Sequence, residues 1–237
     1  MKKAIVIGAT SGIGKELSMI LSQDGYAVGI TGRRIHLLEE LQAQLPPNSI
    51  SRQIDVSDTP AAISILEGMI DEMGGVDMIV INAGIGFVDP ELQWAKERET
   101  IDVNVVGFAA MANVAYHHFV QQKRGHLVGI SSIAAIRGGD APAYNASKAF
   151  VTNYLQGIRR KVSKLGLPII VTDIRPGLVD TAMAKGEGLF WVASPQQASK
   201  QIYDAIKKKR KHAYITRRWR LVAWALRIMP DIIYNKL

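Results

Sequence analysis

Short apolar runs and longer amphipathic stretches alternate along this chain. Residues 4–7, 27–31, 78–81, 126–130 and 169–174 are runs of strand length rich in Val and Ile; these, and 51–54, which ends on Ile54, are read as strands buried on both faces. Between them, Ile35, Leu38, Leu41 and Leu45, and again Ile63, Leu66, Ile70 and Met73, recur at the spacing of a helix with one apolar face. Such alternation predicts a doubly wound α/β fold. Right-handed crossovers would place helices on both faces of a parallel sheet, in three layers. Ligands of such sheets bind outside the carboxyl ends of the strands, so candidate chemistry is sought there.

Composition narrows the picture. The 237 residues are 48% apolar and contain no cysteine, which excludes disulfides, thiol nucleophiles and thiolate metal sites. Redox chemistry would have to come from a bound cofactor. No Pro/Gly/Ser-rich linker divides the chain, and one domain is expected. The apolar run after Met1-Lys2-Lys3 is too short for a signal-peptide core, and no uncharged apolar stretch reaches ~18 residues; the cytoplasm is the expected location. The net charge of +8 lies in the tail: residues 207–237 hold ten Lys or Arg against Asp231 alone, leaving residues 1–206 at −1. A near-neutral body argues against a nucleic-acid partner. The five histidines fall in no metal-ligand spacing, and no metal is expected.

The first strand runs into Gly8-Ala9-Thr10-Ser11-Gly12-Ile13-Gly14, with a helix predicted over 15–21. Glycines there let the backbone turn tightly and approach a pyrophosphate, whose charge a helix amino terminus stabilises. The second strand ends in Arg33-Arg34 with no acid. An NAD enzyme needs a carboxylate there for the ribose hydroxyls, whereas guanidinium groups pair with a 2′-phosphate. NADP(H) is therefore favoured over NAD(H).

Tyr144 and Lys148 stand four apart on a predicted helix and share a face. A phenol ordinarily titrates near pH ~10, so it can serve as acid and base at neutral pH only where a fixed positive charge stabilises its phenolate. Lys148 can supply that charge.

The G-x-x-x-G-x-G turn, Asn82-Ala83-Gly84, Asn104, Ser131-Ser132 and Tyr144-x-x-x-Lys148 occur in the order found in the short-chain dehydrogenase/reductase family, which the chain resembles over roughly residues 1–206. The resemblance implies that Tyr144 is the acid/base, that Lys148 holds the nicotinamide ribose and lowers the Tyr144 pKa, and that Asn104 supports a relay water. Arg33 matches the family's phosphate-binding position, with Arg34 beside it. Asp55 would bond the adenine amino group and Val56 pack on its ring, although Asp55 could equally cap the helix beginning near Thr59. Asn82, Ala83 and Gly84 would lie behind the adenine ribose, despite Ile81 standing before them where Asn is commoner. Pro176, Gly177, Val179 and Thr181 resemble the nicotinamide loop, and residues 182–193, with Leu189, Phe190 and Trp191, stand where the family keeps a substrate lid.

The second donor to the substrate oxygen is Ser131 or Ser132. The family's distance to the tyrosine points at Ser131; the local strand-end pattern points at Ser132, with one residue deleted from the loop 137–141. Only one of two neighbours on a strand can face the nicotinamide, and a surface loop absorbs a deletion more readily than a buried strand end. Ser132 is preferred.

The tail continues past the family pattern. Residues 213–216 predict a last strand and 217–228 a short helix with Arg217, Arg220, Arg227 and Trp224 on one side and Trp219, Val222 and Leu226 on the other. A basic amphipathic helix with Trp suits an anionic membrane surface, each basic residue there contributing ~1 kcal/mol. Alternatively it packs on its own domain or a second subunit, its arginines solvated.

The sequence thus predicts a dinucleotide-binding and catalytic body over 1–206 and a basic extension over 207–237 within the same domain. The expected activity is a homo-oligomeric NADP(H)-dependent oxidoreductase interconverting a small-molecule carbonyl and a secondary alcohol. Its rival is a non-catalytic NADP(H)-binding protein that uses the cofactor as a redox signal and the tail as a docking element.

Overall fold

Strand and helix alternate through most of the computed structural model, which describes residues 1–181 and 190–235. In chain order the elements are β1 (Lys2–Ile7), α1 (Gly12–Gln23), β2 (Tyr26–Gly32), α2 (Ile35–Gln42), β3 (Ile50–Gln53), α3 (Thr59–Glu72), β4 (Met78–Ile81) and α4 (Trp94–Ile101). They continue with α5 (Phe108–Gln122), β5 (Gly125–Ile130), α6 (Pro142–Lys164), β6 (Ile169–Pro176), α7 (Pro195–Lys207), β7 (His212–Ile215), α8 (Trp219–Ile228) and α9 (Asp231–Tyr234). The strands form one parallel sheet in the order β3-β2-β1-β4-β5-β6-β7. Strand order reverses between β1 and β4, which opens a crevice at their carboxyl ends.

Alternation along the strands builds two cores. Ile5, Ile7, Ile79 and Ile81 face the layer of α3, α5 and α6. Ala4, Val6, Met78 and Val80 face that of α1, α2 and α7. Each fully buried Ile or Leu contributes about 1.5–3 kcal/mol before chain entropy is set against it. Several helix starts follow from local chemistry. Asp58 accepts from the Ala61 amide at the start of α3 and Ser194 from Gln197 at the start of α7, each followed by proline in the first turn.

Five expectations need correction. The third strand is not buried on both faces: β3 is a sheet edge, and its polar Arg52 and Gln53 are exposed. Leu45 lies beyond the end of α2, although it is buried. Asp58, not Asp55, caps α3. The last strand runs one residue earlier than expected and α8 begins two residues later. Within α8, Trp219 and Ala223 are buried while Arg220, Trp224 and Arg227 are exposed, as is Arg217 just before it. Among the described residues no helix is long and apolar enough to cross a membrane.

Candidate functional site

The turn after β1 is held open by its glycines. Gly8 and Gly12 have φ of +89° and +55°, in the left-handed region that favours glycine. A Cβ on Gly8 would meet the Ala83 backbone at 2.6 Å, and one on Gly14 would meet the Gly8 carbonyl oxygen at 2.1 Å. The Gly8 carbonyl accepts from Asn82 Nδ2 at 2.7 Å, so the β4 end locks the turn. Ser11 is the N-cap of α1 but makes no side-chain cap bond, and no acid stands in the first turn. The amides of Gly12 and Ile13 therefore open the helix with the partial positive charge that attracts an anion. This cradle fits a pyrophosphate. Thr181, past the end of β6, lies against Gly12, where a Cβ would stand 3.0 Å from its methyl group.

The two arginines after β2 part company. The Arg34 guanidinium donates to Thr10 Oγ1 at 2.6 Å and Ser11 Oγ at 2.8 Å, at the rim of the glycine turn. Arg33 lies 3.7 Å from Glu99, both half-exposed. Asp55 accepts from the Ser57 amide and hydroxyl at 3.0 and 2.6 Å. Burial pushes its pKa up, but the Ser57 hydrogen bonds and the Arg33 charge outweigh this and hold it below the ordinary value. Val56 is buried against Gly107, where a Cβ would meet its carbonyl oxygen at 2.6 Å.

At the other end of the crevice, Pro142 in the first turn and the Glu97 carboxylate, which accepts from the Ala143 amide at 3.1 Å, start α6. One turn of that helix separates Tyr144 from Lys148, whose Nζ stands 5.6 Å from the Tyr144 ring centre. Lys148 is buried and donates to the Ile130 carbonyl at 3.1 Å. Burial lowers its pKa to about 8, with the Asp173 carboxylate opposing. Burial of the hydroxyl raises the Tyr144 pKa, and a hydrogen bond with Ser132 offsets part of the rise. Burial is the larger of the two effects.

Ser132 also accepts from the Ala134 amide at 3.1 Å. Ser131 turns the other way and donates to Asp173 Oδ1, with the Ile174 carbonyl 3.0 Å from the same hydroxyl. Asn104 sits in a π-helical stretch, Asp102–Gly107, and clamps Ile85: its Oδ1 accepts from the Ile85 amide at 2.9 Å and its Nδ2 donates to the Ile85 carbonyl at 2.7 Å. Nδ2 also reaches Ser147 Oγ at 3.0 Å. A Cβ on Gly84 would stand 3.0 Å from Lys148 Nζ and 3.2 Å from Asn104 Oδ1, so both polar ends converge there.

Val179 is buried and pairs with Ala193, closing the base of the loop between them. Residues 182–189 of the expected lid, Leu189 included, lie outside the described residues. Phe190 and Trp191 pack on Trp219. Sequence reasoning missed four residues of the site. Gly86 underlies the Tyr144 ring, where a Cβ would come within 2.5 Å. Asn145 donates to the Ala134 and Arg137 carbonyls and so holds the loop after Ser132. Asp173 holds Ser131, and Trp219 covers Gly177. Only Asn145 carried a signal, its place between Tyr144 and Lys148. Among the described residues no group of three His, Asp or Glu is placed to hold a metal ion.

Comparison with known proteins gives a consistent set. A family model described as short chain dehydrogenase matches residues 2–189. An uncharacterized oxidoreductase of Myxococcus xanthus is 36% identical over 189 residues, covering 77% of this chain and 74% of its own. The crystal structure of serine dehydrogenase from Escherichia coli is similar with a TM-score of 0.75 at 29% identity, over 86% of this chain and 90% of that one. A closed form of serine dehydrogenase complexed with NADP+ gives 0.76 at 29% identity, over 86% and 88%.

Proposed function

From the premise that this chain belongs to the short-chain dehydrogenase family and is an oxidoreductase of it, we propose that it interconverts a carbonyl and a secondary alcohol with NADP(H). The observation that carries this reading is the convergence of Ser132, Tyr144, Lys148 and Asn104 in one crevice with the glycine turn. Bound nicotinamide supplies or accepts the hydride. The protein's own part is the oxygen. As negative charge develops there, the Tyr144 hydroxyl donates its proton and the Ser132 hydroxyl a hydrogen bond. A phenol whose pKa is raised by burial holds its proton until that moment, which suits the acid role in reduction. Lys148 then balances the phenolate, and Asn104 anchors the relay that returns the proton.

Gly8, Thr10, Ser11, Gly12, Ile13 and Gly14 would hold the pyrophosphate, and Arg33 and Arg34 the 2′-phosphate; the contacts of Arg34 with the turn support NADP(H) over NAD(H). Asp55, Val56, Asn82, Ala83 and Gly84 would take the adenosine side, and Pro176, Gly177, Val179 and Thr181 the nicotinamide side. NADP+ bound to a similar protein supports the same cofactor.

We further propose that residues 1–206 and 207–237 form one unit, supported by the pairing of β7 with β6 and the burial of Trp219. Homo-oligomerisation is supported by an apolar groove of about 510 Å³ between α4 and α6, flanked by exposed Leu92 and Trp94. The exposed basic side of residues 217–228 supports a peripheral membrane contact, and the anionic cytoplasmic leaflet is its natural complement.

The test is NADPH oxidation across a panel of aldehydes and ketones. Wild type should turn some over, and Tyr144→Phe should lose that turnover while binding NADPH as before. Firm NADPH binding without turnover of any carbonyl would replace the reductase by the redox-sensor reading.

A further inference from the structure

The C-terminal segment is built into the site rather than appended to it. Trp219, 4% exposed, lies on Gly177, where a Cβ would come within 2.1 Å of the indole. Phe190 and Trp191 surround the same indole, with ring centres 5.2 and 6.1 Å away. On the other side Arg137, in the loop after Ser132, donates to the Met229 carbonyl at 2.5 Å and to the Leu226 carbonyl at 3.4 Å, and pairs with Asp231. The Tyr234 hydroxyl donates to the Gly138 carbonyl, and the Tyr234 ring lies 4.2 Å from the Arg137 guanidinium. The segment α8–α9 thus joins the loop after Ser132 to the loop after β6.

Its outer side is apolar and basic at once. Leu221, Trp224 and Ile228, at helical spacing, are 66%, 65% and 60% exposed, and Ile232 and Ile233 continue the apolar surface at 77% and 53%. Exposed Arg217, Arg218, Arg220 and Arg227 surround them, and α8 carries no acid. Asp231, the sole acid of residues 207–237, is spent on Arg137. A contiguous apolar face marks a contact surface rather than a solvated one. Unrelieved positive charge around it asks for an anionic partner, and Trp favours the boundary between apolar and wet phases.

We propose that the outer face of α8–α9 seats on an anionic phospholipid bilayer, and that the enzyme acts there on a membrane-dissolved carbonyl or alcohol with a long apolar chain. The substrate class rests on the reductase reading above; the docking does not. Trp219 points inward from this helix, and the aromatic pair packed on it, Phe190 and Trp191, is 53% and 40% exposed beside the loop after β6. An apolar chain leaving the bilayer then meets aromatic rings, not water, on its way to Ser132 and Tyr144. Each arginine brought to such a surface strengthens partition roughly fivefold.

The experiment uses the full-length protein with phosphatidylglycerol or phosphatidylcholine vesicles. Co-sedimentation should require phosphatidylglycerol and weaken at least about tenfold in about 0.5 M NaCl, where screening shortens the reach of charge. The triple variant Leu221→Ser, Trp224→Ser, Ile228→Ser and the pair Arg217→Gln, Arg220→Gln should each lose about tenfold or more. The triple variant should reduce a short water-soluble aldehyde at the wild-type rate but lose its rate on a long-chain aldehyde supplied in vesicles. Wild type that stays in the supernatant overturns the proposal, as does variant protein that binds vesicles equally. A fall in solution mass in the triple variant, with wild type ignoring vesicles, identifies a second copy as the occupant and also overturns it. Equal long-chain rates in wild type and variant overturn the substrate class. Vesicle binding without turnover of either aldehyde overturns the reductase reading alone and leaves the docking standing.

Discussion

The hydroxyl of Ser131 donates to the buried carboxylate of Asp173 at 2.5 Å, and the same carboxylate accepts from Arg175 Nε at 2.7 Å. Ser131 thereby spends its one proton on a residue of β6, facing away from the phenol of Tyr144. Ser132, its neighbour, is on the Tyr144 side. Two adjacent serines at a strand end have opposite allegiances, and that difference can be measured.

Ser132→Ala should lower kcat by roughly 10²–10³, the scale of removing one preorganised donor to a developing oxyanion, with NADPH affinity retained. Ser131→Ala should instead cost about 1–3 kcal/mol of stability by leaving Asp173 short of a donor. Steady-state kinetics and urea unfolding on both variants separate the two roles. A larger kcat loss at Ser131 would reverse the assignment.

Wild type should bind NADPH more tightly than NADH. Removing one charge-assisted hydrogen bond, at about 1.5–3 kcal/mol, should raise the NADPH dissociation constant roughly 10- to 100-fold in Arg34→Ala while leaving NADH unchanged. Titration of Arg33→Ala beside it tells whether the arginine paired with Glu99 swings over to share the phosphate. Equal affinities of wild type for the two cofactors would sink the preference.

Acid should destabilise this fold through His126, whose Nε2 contacts Thr172 Oγ1 at 2.8 Å. Burial, with a smaller push from Lys209, lowers its pKa to about 4. Below pH ~6.5 the unfolded chain takes up a proton that the folded chain refuses, so stability present above ~6.5 is lost as pH falls toward 4, by up to about 3 kcal/mol. Urea midpoints compared at neutral and acid pH should fall less steeply in His126→Asn than in wild type. Parallel slopes would contradict the prediction.

Gly86→Ala should lower kcat by about 10²-fold with NADPH binding intact, since the new methyl displaces the Tyr144 ring and a misplacement of ~1 Å is costly to chemistry. Unchanged kcat would mean that the ring shifts without moving its hydroxyl.

The strands of this protein were legible because their apolar runs are local and bounded by turn residues, and the start and end of β4 coincide with the run at 78–81. What failed was context. Residues 51–54 are Ser-Arg-Gln-Ile, too polar for a strand buried on both faces, and the sheet order makes β3 an edge. Asp55 and Asp58 look alike as caps; the choice depends on where the helical backbone begins. Helical spacing puts Tyr144 and Lys148 on one face, but such pairs are common, and the glycine turn at the other end of the chain is what gives this one weight. The attachment of Arg137 to Met229 spans 92 residues, and no periodic pattern records a contact at that distance. Nor does an asparagine disclose that its helix widens into a π turn around it, as at Asn104.

The basic run Lys207–Lys211 acquires a further meaning from where the sheet stops. β3 and β7 are the open margins of the sheet, and each is only four residues long. Unpaired strand margins invite strands from neighbouring molecules, and short length and clustered charge discourage them. The run precedes β7 directly, and Arg217 and Arg218 follow it. Two copies approaching margin to margin at β7 would bring like charges together before any backbone bond could form. Crowded molecules of this protein are thus kept from knitting their sheets into fibres, and neutralising those lysines would trade solubility for aggregation.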